Sequence, residues 1–144
     1  MILISHRGNI DGASDFENHP DNIDKAINLG FDVEVDVYLQ DSKIFLGHDN
    51  PEYEVDLPWI KDRKESLWIH CKNLASIEYL SSKIGLHYFF HNSDKCTLTS
   101  KGYIWVYPGC QPIKNSIAVL PEIYNDSLTS CLGICSDYIT KYKT

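Results

Sequence analysis

Phe31-Asp32-Val33-Glu34-Val35-Asp36-Val37 alternates strictly between apolar and acidic residues. A period of two is the mark of a β-strand, so Val33, Val35 and Val37 share one face and Glu34 and Asp36 the other. Two carboxylates side by side repel unless a cation or a shared proton relieves them. An isolated pair of this kind is usually a solvent-facing edge. Histidines at neighbouring strand ends turn the reading toward a divalent metal site.

Upstream, Ile2-Leu3-Ile4-Ser5 reads as a short buried strand. Residues 8–19 form a loop rich in Gly, Asp, Asn and Ser. Residues 21–30 follow as a helix, with Ile23, Ala26 and Ile27 at helical spacing and Gly30 placed to end it. Downstream, Asp41-Ser42 turns the chain, and residues 43–46 return as a hairpin strand ending at Gly47-His48-Asp49. Residues 50–66 are polar and turn-rich. Further strands are expected at 67–72, 88–90, 103–107, 117–120 and 133–135, with a helix at 74–84 and a helical turn within 125–131. The order predicts one α/β domain with a largely parallel sheet.

Composition narrows the function. The 144 residues carry 20 acidic against 13 basic side chains, a formal net charge of −7, and only two arginines, Arg7 and Arg63. That balance argues against general binding to nucleic acid, which needs a basic face. It leaves room for a small phosphate-bearing substrate held by a local cation. The 43% hydrophobic content excludes the collagen-like, low-complexity and disordered classes. Five scattered cysteines without a C-x-x-C pair and no apolar run near ~20 residues suggest a cytoplasmic protein with free thiols and no membrane span.

Polar residues recur where strands are expected to end. His6, Glu34, Asp36, His48, His70, Lys72, His91, Glu122 and Asp137 all fall at or near such positions. In parallel α/β folds that is the side where ligands bind. Ile69-His70-Cys71-Lys72 puts His70 and Lys72 on one face, and an inward lysine needs an anionic partner. Arg7 offers a fork suited to phosphate oxygens, and Gly8 beside it lets the backbone approach closely. His6 and His48 can serve as general acid and base, since imidazole titrates near neutrality. Trp105 and Tyr107 share a face and either fill the core or wall a pocket.

His6-Arg7-Gly8, Glu17-Asn18, Glu34-x-Asp36 and Gly47-His48-Asp49 together resemble the N-terminal signature of the glycerophosphodiester phosphodiesterases. These belong to a phosphatidylinositol-phospholipase-C-like superfamily of (β/α)8-type barrels. The likeness covers residues 2–49, and Gly133-Ile134-Cys135-Ser136-Asp137-Tyr138 is a weaker echo of the family's closing strand. The resemblance implies a phosphoric diester hydrolase acting on a small, glycerophosphodiester-like substrate. His6 and His48 would be its acid–base pair and Arg7 its phosphate contact. Glu17 would support the metal or hold Arg7, and Glu34 and Asp36 would ligate the metal. His70 and Lys72 lie where the family has Glu-x-Lys, so His70 stands where the third metal carboxylate is expected.

The family points to magnesium or calcium, whereas an imidazole suits manganese, iron or zinc better. Glu122 is the alternative source of the third carboxylate. His91 is a further candidate pocket residue. Two rivals stand beside this reading: a non-catalytic phosphate- or sugar-binding barrel, and a metal-dependent hydrolase acting on a different bond through His70 and one carboxylate. Length constrains the fold, because an eight-fold βα barrel usually needs at least ~200 residues. The expectation is therefore a reduced (β/α) TIM-type barrel, with outer helices missing between residues 86 and 132.

Overall fold

The computed structural model describes residues 1–144. The chain forms β1 (Ile2–His6), α1 (Pro20–Asn28), β2 (Asp32–Gln40), β3 (Lys43–Leu46), β4 (Tyr53–Val55) and α2 (Leu57–Asp62). It continues through β5 (Leu67–Cys71), α3 (Leu74–Ser81), β6 (Tyr88–Phe90), β7 (Cys96–Leu98), β8 (Ile104–Val106), β9 (Ser116–Val119) and β10 (Gly133–Ser136), and closes in a 3-10 turn at Ile139–Tyr142.

These strands make one mixed sheet of ten, curled into a half-barrel. Seven run parallel in the spatial order β6-β5-β2-β1-β10-β9-β8, while β3, β4 and β7 are antiparallel additions. β2 is long enough to carry β1 along its first half and β3 along its second. β7 leans back on β6 through bonds from Thr97 Oγ1 to the Phe90 carbonyl and from Ser100 N to the Tyr88 carbonyl.

A reduced (β/α) TIM-type barrel is therefore not what forms. Such a barrel alternates strand and helix, but here the three α-helices are short and all precede residue 82. The parallel steps β8 to β9 and β9 to β10 are made by loops at 107–115 and 120–132. Pro108, Gly109, Pro112 and Pro121 in those loops each work against a helix. The helical turn expected within 125–131 is absent, and a run of tight turns at 121–125 precedes it. α2, β4 and β7, by contrast, arise where only polar or irregular chain was expected.

The curl separates two apolar faces. Val33, Val35, Val37, Leu67, Ile69 and Cys71 point outward and are buried under Ile23 and Ala26 of α1, Ile60 of α2 and Leu80 of α3. Each such valine contributes roughly 1.5–3 kcal/mol by leaving water. The concave face is filled by Ile4, Trp68, Phe89, Trp105, Ile117, Val119 and Cys135. This plug is the floor on which the polar strand ends stand. All five cysteines are free, and no helix is long and apolar enough to cross a membrane.

Candidate functional site

Register places the polar residues together. His6 is paired with Glu34 across β1 and β2, and Asp36 with His70 across β2 and β5. With a period of two, all four project onto the concave face above the aromatic floor. Around them lies a pocket of about 480 Å3, lined also by Arg7, His48, Lys72, His91, Trp105 and Tyr107.

Glu34 and Asp36 are fully buried, not solvent-facing. Asp36 is oriented from outside the sheet. Asn18 Nδ2 donates to its Oδ2 at 2.9 Å, while the Asp36 backbone N–H donates to Asn18 Oδ1 at 2.9 Å. Arg7 Nε also lies 3.0 Å from Oδ2. The other oxygen, Oδ1, has no hydrogen-bond partner, and neither has Glu34 Oε2. Two buried carboxylate oxygens without partners are costly unless a cation satisfies them.

His70 completes the cluster. Its Nε2 meets the His91 carbonyl oxygen at 2.7 Å. A carbonyl only accepts, so Nε2 carries the proton and donates it. Nδ1 is thereby turned to Asp36 Oδ1 at 3.2 Å and Glu34 Oε1 at 3.4 Å. Ligand atoms of Glu34, Asp36 and His70 lie within 4.8 Å of one another. Two oxygens and an imidazole nitrogen whose far side is fixed by a carbonyl form a donor set that fits a divalent cation. In its absence burial opposes charging the ring, but hydrogen bonds and charge from Asp36 and Glu34 prevail and raise the His70 pKa to about 9. Burial likewise disfavours the Asp36 carboxylate, yet His48, His70 and Arg7 hold it well below the usual range.

His6 and His48 are held in complementary tautomers. His6 Nδ1 lies 2.7 Å from Asp137 Oδ1, so Nδ1 donates and Nε2 is left free, 3.9 Å from Glu34 Oε2. Burial opposes charging His6, but the bond to Asp137 together with the charges of Glu34 and Asp137 outweighs it, raising its pKa. Burial also disfavours the Asp137 carboxylate, but the bond and charge of His6, with the bond from Asn9 and the charge of Arg7, hold its pKa below the usual range. At His48 the arrangement is reversed. Arg7 NH2 donates to His48 Nδ1 at 2.7 Å, so the ring proton sits on Nε2. His48 is presented by a tight loop in which a side chain at Gly47 would meet the Asn50 carbonyl oxygen at 2.1 Å.

Arg7 has an internal role as well as a pocket position. Its NH1 donates to Glu17 Oε2 at 3.0 Å, so Glu17 holds Arg7 and does not reach the carboxylate cluster. Arg7 itself has φ 55°, a left-handed conformation that costs a non-glycine residue energy and is characteristic of functional sites. Lys72 Nζ is 3.9 Å from Asp36 Oδ1 and lines the pocket.

Glu122 is not brought to the cluster. Its Oε1 accepts from Ser136 Oγ at 2.8 Å and its Oε2 from the Tyr142 hydroxyl at 3.4 Å, both on the convex side of β10. The turn that follows β9, with Leu120 at φ 44° before Pro121, carries it there. His91 contributes its carbonyl to His70 and donates from Nε2 to the Asp94 carbonyl at 2.6 Å. Burial lowers its pKa, which favours the neutral ring. Trp105, only 3% exposed, is both floor and pocket wall.

Two residues were given no role by the sequence, although Asn18 stands within the Glu17-Asn18 motif. Asn18 clamps Asp36 from a loop lacking periodicity. Asn9, also buried, spends both Nδ2 protons on carboxylates: Asp137 Oδ1 at 2.8 Å and Glu17 Oε1 at 3.0 Å. It thus links the residue that orients His6 to the residue that orients Arg7. For Asn9 the only hint was the density of Asn and Asp in 8–19. Comparison of the chain with protein-family models, curated proteins and solved structures finds no match.

Proposed function

We propose that this protein is a metal-dependent hydrolase of small phosphodiesters using His6 and His48 as the acid–base pair. One observation carries the reading: two histidines with opposite tautomers flank a buried Glu34–Asp36–His70 cluster in which one oxygen of each carboxylate lacks a partner. The resemblance of residues 2–49 to the glycerophosphodiester phosphodiesterases supports the same chemistry. A divalent cation held by Glu34, Asp36 and His70 Nδ1 would supply Lewis-acid charge to the phosphoryl group.

The chain's own residues divide the proton work. His6 Nε2 is unprotonated in the tautomer fixed by Asp137, and it takes the proton of the attacking hydroxyl, from water or a neighbouring substrate hydroxyl. Asp137 stabilises the imidazolium that results. His48 gives its Nε2 proton to the leaving alkoxide as an imidazolium, having taken a proton on Nδ1 in place of the bond from Arg7, so that a neutral ring is left. Lys72, with the N–H groups of Arg7 that remain free, balances charge on the phosphoryl oxygens.

The test is turnover of bis(p-nitrophenyl) phosphate and of glycerophosphodiesters after EDTA, with Mg, Ca, Mn or Zn added back. Metal-restored turnover is expected, falling by about 10²–10⁴ in His6→Ala and in His48→Ala. Turnover untouched by either substitution overturns the assigned roles. Phosphate binding without turnover under any metal overturns the enzyme reading in favour of a binding pocket.

A further inference from the structure

The pocket has two unlike walls. The side built from β1, β2 and β5 carries His6, Arg7, Glu34, His70 and Lys72, flanked by His48 from the loop after β3 and by His91, Asn92 and Ser93 after β6. The opposite side is made by the ends of β8 and β9 and the loops after them. Trp105, Tyr107, Val119, Leu120 and Ile123 line it, and no charged side chain joins them.

This apolar wall is held in place and open at the rim. Trp105 is fully buried at the bottom, whereas Tyr107 is 44% and Ile123 56% exposed at the mouth. The Tyr124 ring packs on Gly109, where an added Cβ would lie 3.1 Å from it, and the Gly109 N–H donates to Asp126 Oδ2 at 2.9 Å. The 107–109 and 121–126 loops therefore brace each other. Leu120 sits at φ 44°, an unfavourable backbone for a branched-chain residue, and its N–H is tied to the Cys135 carbonyl at 2.7 Å. Exposed isoleucine and tyrosine on a braced surface, continuous with a reactive centre, are suited to covering carbon.

We infer that the substrate is a phosphodiester in which one esterified alcohol is apolar, alkyl or aryl, and lies along the Trp105–Tyr107–Ile123 wall. The inference rests on the phosphodiester reading and narrows it. A glycerol or sugar on this wall would find only the Trp105 indole N–H and the Tyr107 hydroxyl as polar side-chain groups, too few for its several hydroxyls, and unpaired hydroxyls are costly to bury. An apolar group gains about fourfold in affinity for each methylene removed from water.

Binding of phosphate monoesters tests this apart from turnover. Calorimetry with Mn-loaded protein would compare glycerol phosphate, ethyl phosphate, n-hexyl phosphate and phenyl phosphate. Hexyl or phenyl phosphate is expected to bind at least about tenfold more tightly than glycerol phosphate. The tighter of the two names the alcohol as alkyl or aryl. Ile123→Asp should bring the hexyl-to-glycerol ratio toward one, and Ile123→Leu should preserve it. Glycerol phosphate binding as tightly as both, or a ratio unmoved by Ile123→Asp, overturns the inference. Selective apolar binding with no diester turned over under any metal would sink the hydrolase reading and leave the apolar subsite standing.

Discussion

His70 donates its Nε2 proton to the His91 carbonyl at 2.7 Å, and that single bond directs Nδ1 at Asp36 Oδ1, 3.2 Å away. A ring able to rotate or change tautomer would offer the carboxylates an N–H. Here it offers them a lone pair or, without metal, a trapped proton. A nitrogen donor favours borderline transition ions over calcium and magnesium, which prefer oxygen. Mn or Zn should therefore raise the thermal midpoint of EDTA-treated protein and bind at least about tenfold more tightly than Mg or Ca. His70→Glu should reverse that order. Equal affinity for Mg and Mn in the unmodified protein would show that the imidazole does not select the ion.

The tautomer was not legible in the sequence, although the cluster was. Strict alternation at 31–37 put Glu34 and Asp36 on one face, and the same rule put His70 and Lys72 together; the structure agrees because register aligns those strands. The helices at Pro20–Asn28 and Leu74–Ser81 were legible from apolar spacing. What failed was architecture. Strand-end motifs suggested a barrel of repeating βα units, but periodicity in one strand says nothing of how the next is reached. Loops with three prolines connect β8 to β9 and β9 to β10. Strands of three residues set in polar chain, such as Tyr53–Val55 and Cys96–Leu98, lack the apolar run that marked Tyr88–Phe90 and Ile104–Val106. Asn9 escaped notice, and Asn18 was quoted in a motif without a role, because both act through loop geometry, which has no period.

Asn9 is a positioning residue, reaching the reaction only through Asp137 and Glu17. Without its donation to Asp137 Oδ1, more of that carboxylate's charge falls on His6, and the His6 pKa should rise further. His6 acts unprotonated as base, so the acid limb of the kcat/KM profile should move to higher pH in Asn9→Ala. The rate on the plateau should fall by about 10–100-fold, as for other residues that orient a working group. A limb that stays in place while stability drops would mark Asn9 as merely structural.

His87 sets an acid limit on stability, far from the pocket mouth. It is buried beside Trp68, with ring centroids 4.1 Å apart, and its Nε2 lies 2.7 Å from Thr99 Oγ1. That oxygen accepts the Tyr103 N–H, so its own proton is free to go to His87, which accepts it as a neutral ring. Burial, helped by Lys101, lowers the His87 pKa to about 4. The unfolded chain takes up this proton near pH 6.5, the folded chain only near 4. Stability is thus full above pH 6.5 and declines as pH falls toward 4, by roughly 2–3 kcal/mol from this group. Urea unfolding at pH 7 and pH 5 should show the decline, and His87→Gln should reduce it. An identical slope in the variant would assign the acid loss to other groups.

Gly133 and Gly30 separate two reasons for glycine. Gly133 opens β10 between β1 and β9, paired with Ile2 on one side and Ile117 on the other. A Cβ there would lie 2.8 Å from both Ile2 Cβ and the Ile2 carbonyl oxygen, and 2.9 Å from Ile117 Cδ1. Two of those atoms belong to a strand that also carries His6, so neither can move without disturbing the ladder. Gly30 ends the α1 segment at φ 88° with nothing within 4 Å, so its demand is on the backbone alone. Asparagine tolerates that conformation, whereas nothing larger than hydrogen fits at Gly133. Gly133→Ala should cost about 1–3 kcal/mol in urea unfolding through overpacking, while Gly30→Asn should cost about 1 kcal/mol or less. Because β10 leads directly to Asp137, Gly133→Ala should also slow turnover, and Gly30→Asn should not. A Gly133→Ala protein as stable and as active as the parent would show that β1 and β10 can separate without loss, which their role in aligning His6 with Asp137 does not allow.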